Sequence, residues 1–370
     1  MIAASKMIIA ILLISVVLSS VTTALAQSQW TRYGSSPVLT AQSWAPGGLY
    51  RPRVLYDGKI FKMWFGGLNQ TGYSDGIGYA NSTDGIKWIT YPHPVLTAET
   101  SPENWAEYGG HNTITGLSMG SVVWTGSQYM MWYRGYNNNS AALGLATSPD
   151  GITWKKYSGN PVLVATTVDS NLVGSSYVIR SGSLYKMWYT CFNSSLPGDS
   201  ICYASSSDGI TWSKFSSPVL EPRESLGWEA GFLFSPAVIY DGKTYGMWYS
   251  GCNSQASNCI SQLGYATSTD GMTWMRDPSN PILSPGTSGV WDAGGVENAC
   301  VVQYNGGFLL YYDGYPTPTA TTGYYIGLAK SPSNFVLPEI ASPPLTVCLL
   351  ALVLLTGLSF RKARQLSAIT

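Results

Sequence analysis

Short apolar runs follow one another along this chain, each broken by a turn that contains glycine. Arg53-Val54-Leu55-Tyr56, the pair Asp57-Gly58 and the run Ile60 to Phe65 read as two strands joined by a tight hairpin, because glycine supplies the positive φ that such a turn needs. A more variable loop leads to a third strand at Gly78-Tyr79-Ala80, then to the turn Ser82-Thr83-Asp84-Gly85 and Trp88. A fourth strand is expected from there to Pro94-Val95-Leu96. The middle of the chain has no long segment of helical period.

This unit recurs at about sixty residues, and a fixed period decides the fold before anything else does. The turn phrase returns at Ser148–Trp154, Ser206–Trp212 and Ser268–Trp274. The second-strand phrase Met63-Trp64-Phe65 returns as Met131-Trp132-Tyr133, Met187-Trp188-Tyr189 and Met247-Trp248-Tyr249, and in degenerate form as Leu310-Tyr311-Tyr312. Hairpin turns recur at Thr125-Gly126, Ser181-Gly182, Asp241-Gly242 and Asn305-Gly306. Four short antiparallel strands per repeat is the unit of a β-propeller blade. The fifth repeat lacks its turn phrase and its Pro-Val-Leu, while the chain supplies the same pieces early, as Trp30–Tyr33 and Pro37-Val38-Leu39. An all-β, five-bladed β-propeller closed by its amino-terminal strand is therefore expected, with no ragged sheet edge left open. The Ser-x-Asp-Gly-x-x-Trp phrase is a turn device with an inter-blade Trp, since an active site is rarely copied once per blade.

Charged residues make up 11% of the chain and balance to a net charge of zero, so no basic patch points to nucleic acid. Aromatic residues reach 13%, a mix that suits strands and sugar-stacking surfaces. Residues 1–26 read as a signal peptide, with Lys6, an apolar run from Met7 to Leu18 and a small-residue site at Ala24-Leu25-Ala26. The propeller is expected over 27–336, followed by a Pro-containing linker over 337–344. Residues 345–360 read as a transmembrane or sorting segment and 361–370 as a basic cytoplasmic tail carrying Arg361, Lys362 and Arg364. The body is then extracellular, anchored at the cell surface with the membrane as a partner. Cysteine usage agrees: Cys191 with Cys202 and Cys252 with Cys259 flank equivalent loops and are expected to pair, while Cys300 and Cys348 stay free. Histidine is nearly absent and no Cys-x-x-Cys occurs, so neither a metal nor another cofactor is expected.

Strand order fixes the geometry of the ring. The hairpins and turn phrases share one face; the segments before first strands and the loops after second strands share the other, where a central pocket would form. A Trp precedes most first strands, at Trp44, Trp105, Trp228 and Trp291. Polar candidates on this face are Tyr50 and Arg51 in the first repeat, Tyr108, His111, Asn112, Arg134 and Tyr136 in the second, Glu229 in the fourth, and Asp292, Glu297, Asn298 and Asp313 in the fifth. Glycoside hydrolysis needs a proton donor and a base or nucleophile across the scissile bond. Glu229 and Glu297 form the candidate pair, with Asp313 as a third catalytic acid; Tyr50, Arg51, Tyr108, His111, Arg134, Asp292 and Asn298 are the candidate substrate-binding residues.

The order Pro-x-Val-x-x-Asp-Gly-x-x-Tyr-x-Met-Trp-Tyr, followed by Ala-x-Ser-x-Asp-Gly-x-x-Trp, resembles the five-bladed glycosidase propellers: the arabinanase, levansucrase and invertase group, with the related β-mannoside phosphorylases. The resemblance covers about Trp30 to Lys330 and implies a carbohydrate partner. That group places acids at the starts of successive first strands. Here those positions read Tyr50-Arg51-Pro52, Ser118-Met119-Gly120 and Gly174-Ser175-Ser176, so its catalytic residues do not carry over. Three readings stay open: a glycoside hydrolase or phosphorylase with relocated acids, a non-catalytic propeller that binds glycan or protein, and an architectural surface protein.

Overall fold

The computed structural model describes residues 30–98, 116–137, 140–167, 169, 172–192, 198–256 and 258–331. The expected leader, linker, apolar segment and tail lie outside them, as do Tyr108, His111, Asn112 and Cys348. Among the described residues no helix is long and apolar enough to cross a membrane. The chain enters through β1 (Thr31–Arg32). Blade 1 follows as β2 (Gly48–Tyr56), β3 (Phe61–Leu68), β4 (Ser74–Ser82) and β5 (Ile89–Thr90), and blade 2 as β6 (Ser118–Trp124), β7 (Tyr129–Asn137), β8 (Ser140–Ser148) and β9 (Lys155–Lys156). Blade 3 is β10 (Val173–Ser181), β11 (Leu184–Cys191), β12 (Ser200–Ser206) and β13 (Ser213–Lys214); blade 4 is β14 (Phe232–Tyr240), β15 (Tyr245–Cys252), β16 (Ser261–Ser268) and β17 (Met275–Arg276). Blade 5 holds β18 (Gly295–Tyr304), β19 (Gly307–Tyr315) and β20 (Tyr325–Lys330), and β1 completes it in the order β1-β20-β19-β18. Thr31 pairs with Lys330 and Arg32 with Ala329, so the ring closes through the amino-terminal strand as expected.

The fourth strands are shorter than the sequence implies. Each is two residues long, and the Pro-Val-Leu leucine returns afterwards as a single bridge to strand three: Leu96 to Ile77, Leu163 to Leu143, Leu220 to Ile201 and Leu283 to Leu263. Proline has no N–H to give a ladder, so pairing resumes only after it. Leu39 bridges Ile326 and fills the same place in blade 5.

The turn phrase is structural in every copy. In the blade 3 copy, Ser206 Oγ donates to Asp208 Oδ1 and accepts the Gly209 N–H, while Asp208 Oδ1 accepts the Ile210 and Thr211 N–H groups. The Thr211 and Ile210 amides hold the Asp208 carboxyl down to about 2. Each turn is also gripped by the preceding blade. Trp64 Nε1 donates to Gly151 O at 2.8 Å, Trp132 to Gly209 O at 2.9 Å and Trp188 to Gly271 O at 2.7 Å, and Tyr311 Oη donates to Gly85 O at 2.8 Å. Blade 5 has no such turn; there Trp30 packs edge-on against Trp248, with centroids 6.0 Å apart.

Arg53 fills the middle of the ring and is 3% exposed. From β2 its Nε donates to Gly120 O on β6 at 2.5 Å, Nη1 reaches Ala299 O on β18 at 3.5 Å, and its guanidinium lies 5.4 Å from the Tyr177 ring on β10. It therefore ties four inner strands together at the middle of the ring. Arg53→Ala is expected to cost about 3 kcal/mol, from the void and the abandoned carbonyls. An unchanged urea midpoint would refute this role.

Candidate active site

Every inner strand carries a register shift at the same level: Tyr50/Arg53, Met119/Ser121, Val173/Ser176, Phe234/Ala237 and Glu297/Cys300. Such bulges re-aim side chains. In three blades a residue other than glycine takes the left-handed conformation there, namely Arg51 (φ 53°), Ser235 (φ 49°) and Asn298 (φ 55°). Backbone of this kind costs of order 1–3 kcal/mol and collects at functional sites. The bulge N–H is held by the residue that follows the second-strand aromatic of the previous blade. Thr190 Oγ1 accepts from Ser235 N–H, Ser250 Oγ from Asn298 N–H, and Asp313 Oδ1 from Arg51 N–H at 2.7 Å. Blade 5 thus places a carboxylate where a hydroxyl serves its neighbours.

That carboxylate lies beside Glu297. Glu297 and Asp313 are register partners on β18 and β19. Asn298 Nδ2 donates to Glu297 Oε1 at 3.0 Å and to Asp313 Oδ2 at 3.1 Å, which puts these two oxygens within about 6 Å of each other. Ser261 Oγ donates to Glu297 Oε2 at 3.0 Å and accepts from Tyr315 Oη at 3.0 Å. Burial raises the pKa of Glu297, while Ser261 and Arg51 oppose the rise. Burial and the charge on Glu297 raise Asp313 further. Two carboxyls this close titrate as a pair that holds one proton longer than either would alone. Asp313 is fully buried; Glu297 is half-buried and faces a cavity of about 370 Å³ on the expected face, lined also by Phe232, Phe234, Ser261, Tyr315 and Tyr324.

Arg51 Nη1 donates to Ser118 Oγ, its guanidinium lies 5.6 Å from the Tyr50 ring, and its buried Nε has no hydrogen-bond partner. Ser118 pairs in register with Arg134, so two guanidinium-bearing residues flank it. Arg134 and Asp313 stand within β7 and β19, not in the loops beyond them. Replacing Arg51 with Met removes a cation that favours the ionised acids. The alkaline limb of any rate carried by protonated Glu297 is expected to move to higher pH; a limb that stays put would show that Arg51 does not act on the pair.

Two candidates go elsewhere. Glu229 lies 2.6 Å from Arg276 and accepts from Tyr249 Oη at 2.8 Å. Asp292 lies 2.8 Å from Arg32 and accepts from Tyr312 Oη at 3.1 Å. Each is a buried acid in the loop before an inner strand, joined to a base on the outer strand and to the second-strand Tyr. Asp169 repeats the arrangement with Lys214 and Tyr189. The structure therefore does not bring Glu229 to Glu297: among the described residues the two share no partner, and Glu229 and Asp292 brace their blades. Sequence reasoning passed over Asp199, Ser261 and Tyr315. Asp199 precedes β12, and burial lifts its pKa to about 6 against the pull of Arg134. It sits inside the loop that Cys191 and Cys202 close, where only the cysteines drew notice. Both expected disulfides are present, with Cα–Cα separations of 5.8 Å, and Cys300 is free and buried.

No family model matches the chain. An uncharacterized protein of Mycobacterium tuberculosis is 27% identical over 272 residues, covering 70% of this chain and 85% of that protein. A 1,2-β-oligomannan phosphorylase of Thermoanaerobacter sp. is 32% identical over 102 residues, 26% of this chain and 33% of that protein. A solved structure from the GH130 family of mannoside phosphorylases, described as containing glycoside hydrolases that target β-1,2-mannosidic linkages in Candida mannan, superposes with a TM-score of 0.65 at 19% identity, over 85% of this chain and 96% of that one. The chain shares the five-bladed β-propeller fold of that structure.

Proposed function

We propose that this chain is a carbohydrate-active enzyme displayed on the cell surface, cleaving glycosidic bonds of β-mannoside-type oligosaccharides in the cavity beside Glu297. The proton-sharing Glu297–Asp313 pair at an aromatic-lined cavity carries the reading. Glu297 donates its proton to the glycosidic oxygen as the bond to the anomeric carbon breaks, and burial keeps that proton on it above the usual carboxylate range. The substrate class is drawn from the relative named a 1,2-β-oligomannan phosphorylase. Surface display rests on the leader and the apolar segment with its basic tail.

The nucleophile has to approach from the other side. Asp313 lies beside Glu297 and does not supply an opposing carboxylate, whereas the Arg51 guanidinium acts on both acids and Arg134 is the register partner of Ser118, which Arg51 also bonds. Phosphorolysis suits cations beside the acid pair: a phosphate oxygen bonds to the anomeric carbon, and the products are a sugar 1-phosphate and the released alcohol. The test is a panel of β-1,2- and β-1,4-linked mannosides and arabinosides, each with and without inorganic phosphate, scored for free sugar and sugar 1-phosphate. Release of either from one linkage class supports the proposal. Binding with no product on the whole panel would favour the non-catalytic reading, and neither binding nor product would leave the architectural one.

A further inference from the structure

The cavity at Glu297 is not the largest. One of about 440 Å³ lies on the opposite face, between blades 1 and 2, with Tyr56 and Trp124 among its walls and Asp57, Lys62 and Asp150 around it. We infer that it is a second carbohydrate-binding site, which holds a polysaccharide chain by one sugar unit while another part of that chain is processed. The inference rests on the proposed function for its ligand class.

Trp124 is 46% exposed, the only exposed tryptophan among the described residues. A large exposed ring at the edge of a cavity costs stability unless something covers it, and the apolar face of a pyranose covers an indole well. Polar groups of the right kind stand beside it. Asp57 uses Oδ1 for the Lys59 and Ile60 N–H groups, which leaves Oδ2 with only the Lys62 ammonium, 3.8 Å away. Lys62 Nζ gives one proton to Tyr129 Oη at 2.6 Å and keeps others. An acceptor and a donor side by side match neighbouring hydroxyls of a sugar ring.

The repeat supplies its own controls. The Lys–Tyr pair recurs between blades 3 and 4, where Lys186 Nζ donates to Tyr245 Oη at 2.6 Å, so the pair by itself is scaffold. There the position of Trp124, whose ring is tilted 49° on Tyr129 at 4.6 Å, is taken by Tyr240, stacked flat on Tyr245 at 4.2 Å, and that of Tyr56 by Arg180. Between blades 5 and 1 Gln303 takes the place of Tyr56, Tyr304 packs on Tyr56 at 5.2 Å, and the cavity there is smaller, about 280 Å³. Among the described residues, the boundary of blades 1 and 2 is set apart by its larger cavity and by the exposed tryptophan in its wall.

The test is retention of the full chain on immobilised β-1,2-mannan, β-1,4-mannan and arabinan, together with turnover of a short oligosaccharide. Trp124→Ala is expected to weaken retention on one of these polymers about tenfold and to leave short-substrate turnover unchanged. Asp57→Asn, which keeps Oδ1 for the turn, should weaken it in the same direction and stands in if Trp124→Ala does not fold. Retention equal to the parent chain in the variant that folds, or none on any polymer, overturns the inference. Retention that depends on Trp124 without turnover of any glycan would uphold this site and sink the proposed activity; turnover with no effect of Trp124 would do the reverse.

Discussion

Glu297→Gln is expected to lower glycoside turnover by about 10²–10⁴-fold, the usual share of a positioned general acid, and to leave the fold intact. The amide has the shape of the acid. Its oxygen can accept from Asn298 Nδ2 as Oε1 does, and its nitrogen can donate to Ser261 Oγ, which still accepts from Tyr315 Oη. What the amide lacks is the transferable proton. The parent rate should fall as pH rises through the apparent pKa of the Glu297–Asp313 pair, because burial keeps Glu297 protonated above the usual carboxylate range and only the protonated form works. The residual rate of the variant should lack that limb. Parent-like turnover with an unchanged pH profile would remove Glu297 from the chemistry. An intact melting temperature, with oligosaccharide still bound, separates loss of chemistry from loss of structure.

The scaffold was legible because it is written five times. Hairpins, turn phrases, ring closure and both disulfides follow from residues that recur at one period, and the physical demand behind each recurs as well. The site was only half legible. Counting onward from Trp228 and Trp291 brought Glu229 and Asp292 onto the list, but the same comparison across repeats exposes them as copies. Acid, tyrosine and base occur together in blades 3, 4 and 5, as Asp169, Tyr189 and Lys214 in blade 3, and all three are replaced in blade 1 by Ala45, Phe65 and Thr90. A charge that appears and disappears with its counter-charge is a brace. Glu297 stands differently, since Tyr50 and Phe234 occupy its place in blades 1 and 4. Asp313 holds a bulge amide as Thr190 and Ser250 do, yet alone among these three brings a second carboxyl oxygen and a charge. What the sequence could not supply was the bulge itself. The left-handed turn at Asn298 lets one amide bond both acids, and no residue type announces it.

Removal of the chain up to Thr40 is expected to unfold the propeller at temperatures where the full chain is folded. The loss has three parts. Trp30, 6% exposed and packed edge-on against Trp248, leaves a void worth about 3–5 kcal/mol. Arg32 leaves the buried Asp292 without its cation; Arg32 is itself part-exposed, so solvent screening reduces this loss to about 2 kcal/mol. Leu39 and β1 leave the β20 edge unpaired, open to another chain. Together these approach the whole stability of an ordinary domain, about 5–15 kcal/mol. The single change Trp30→Ala should lower the melting temperature by about 10 °C, and a peptide covering residues 27–40 should restore part of that stability to the truncated chain. A truncated chain that melts with the parent, or a peptide without effect on a truncated chain that still folds, would mean that blade 5 does not need its fourth strand from the amino terminus and that the ring is held shut by blades 4 and 1 alone.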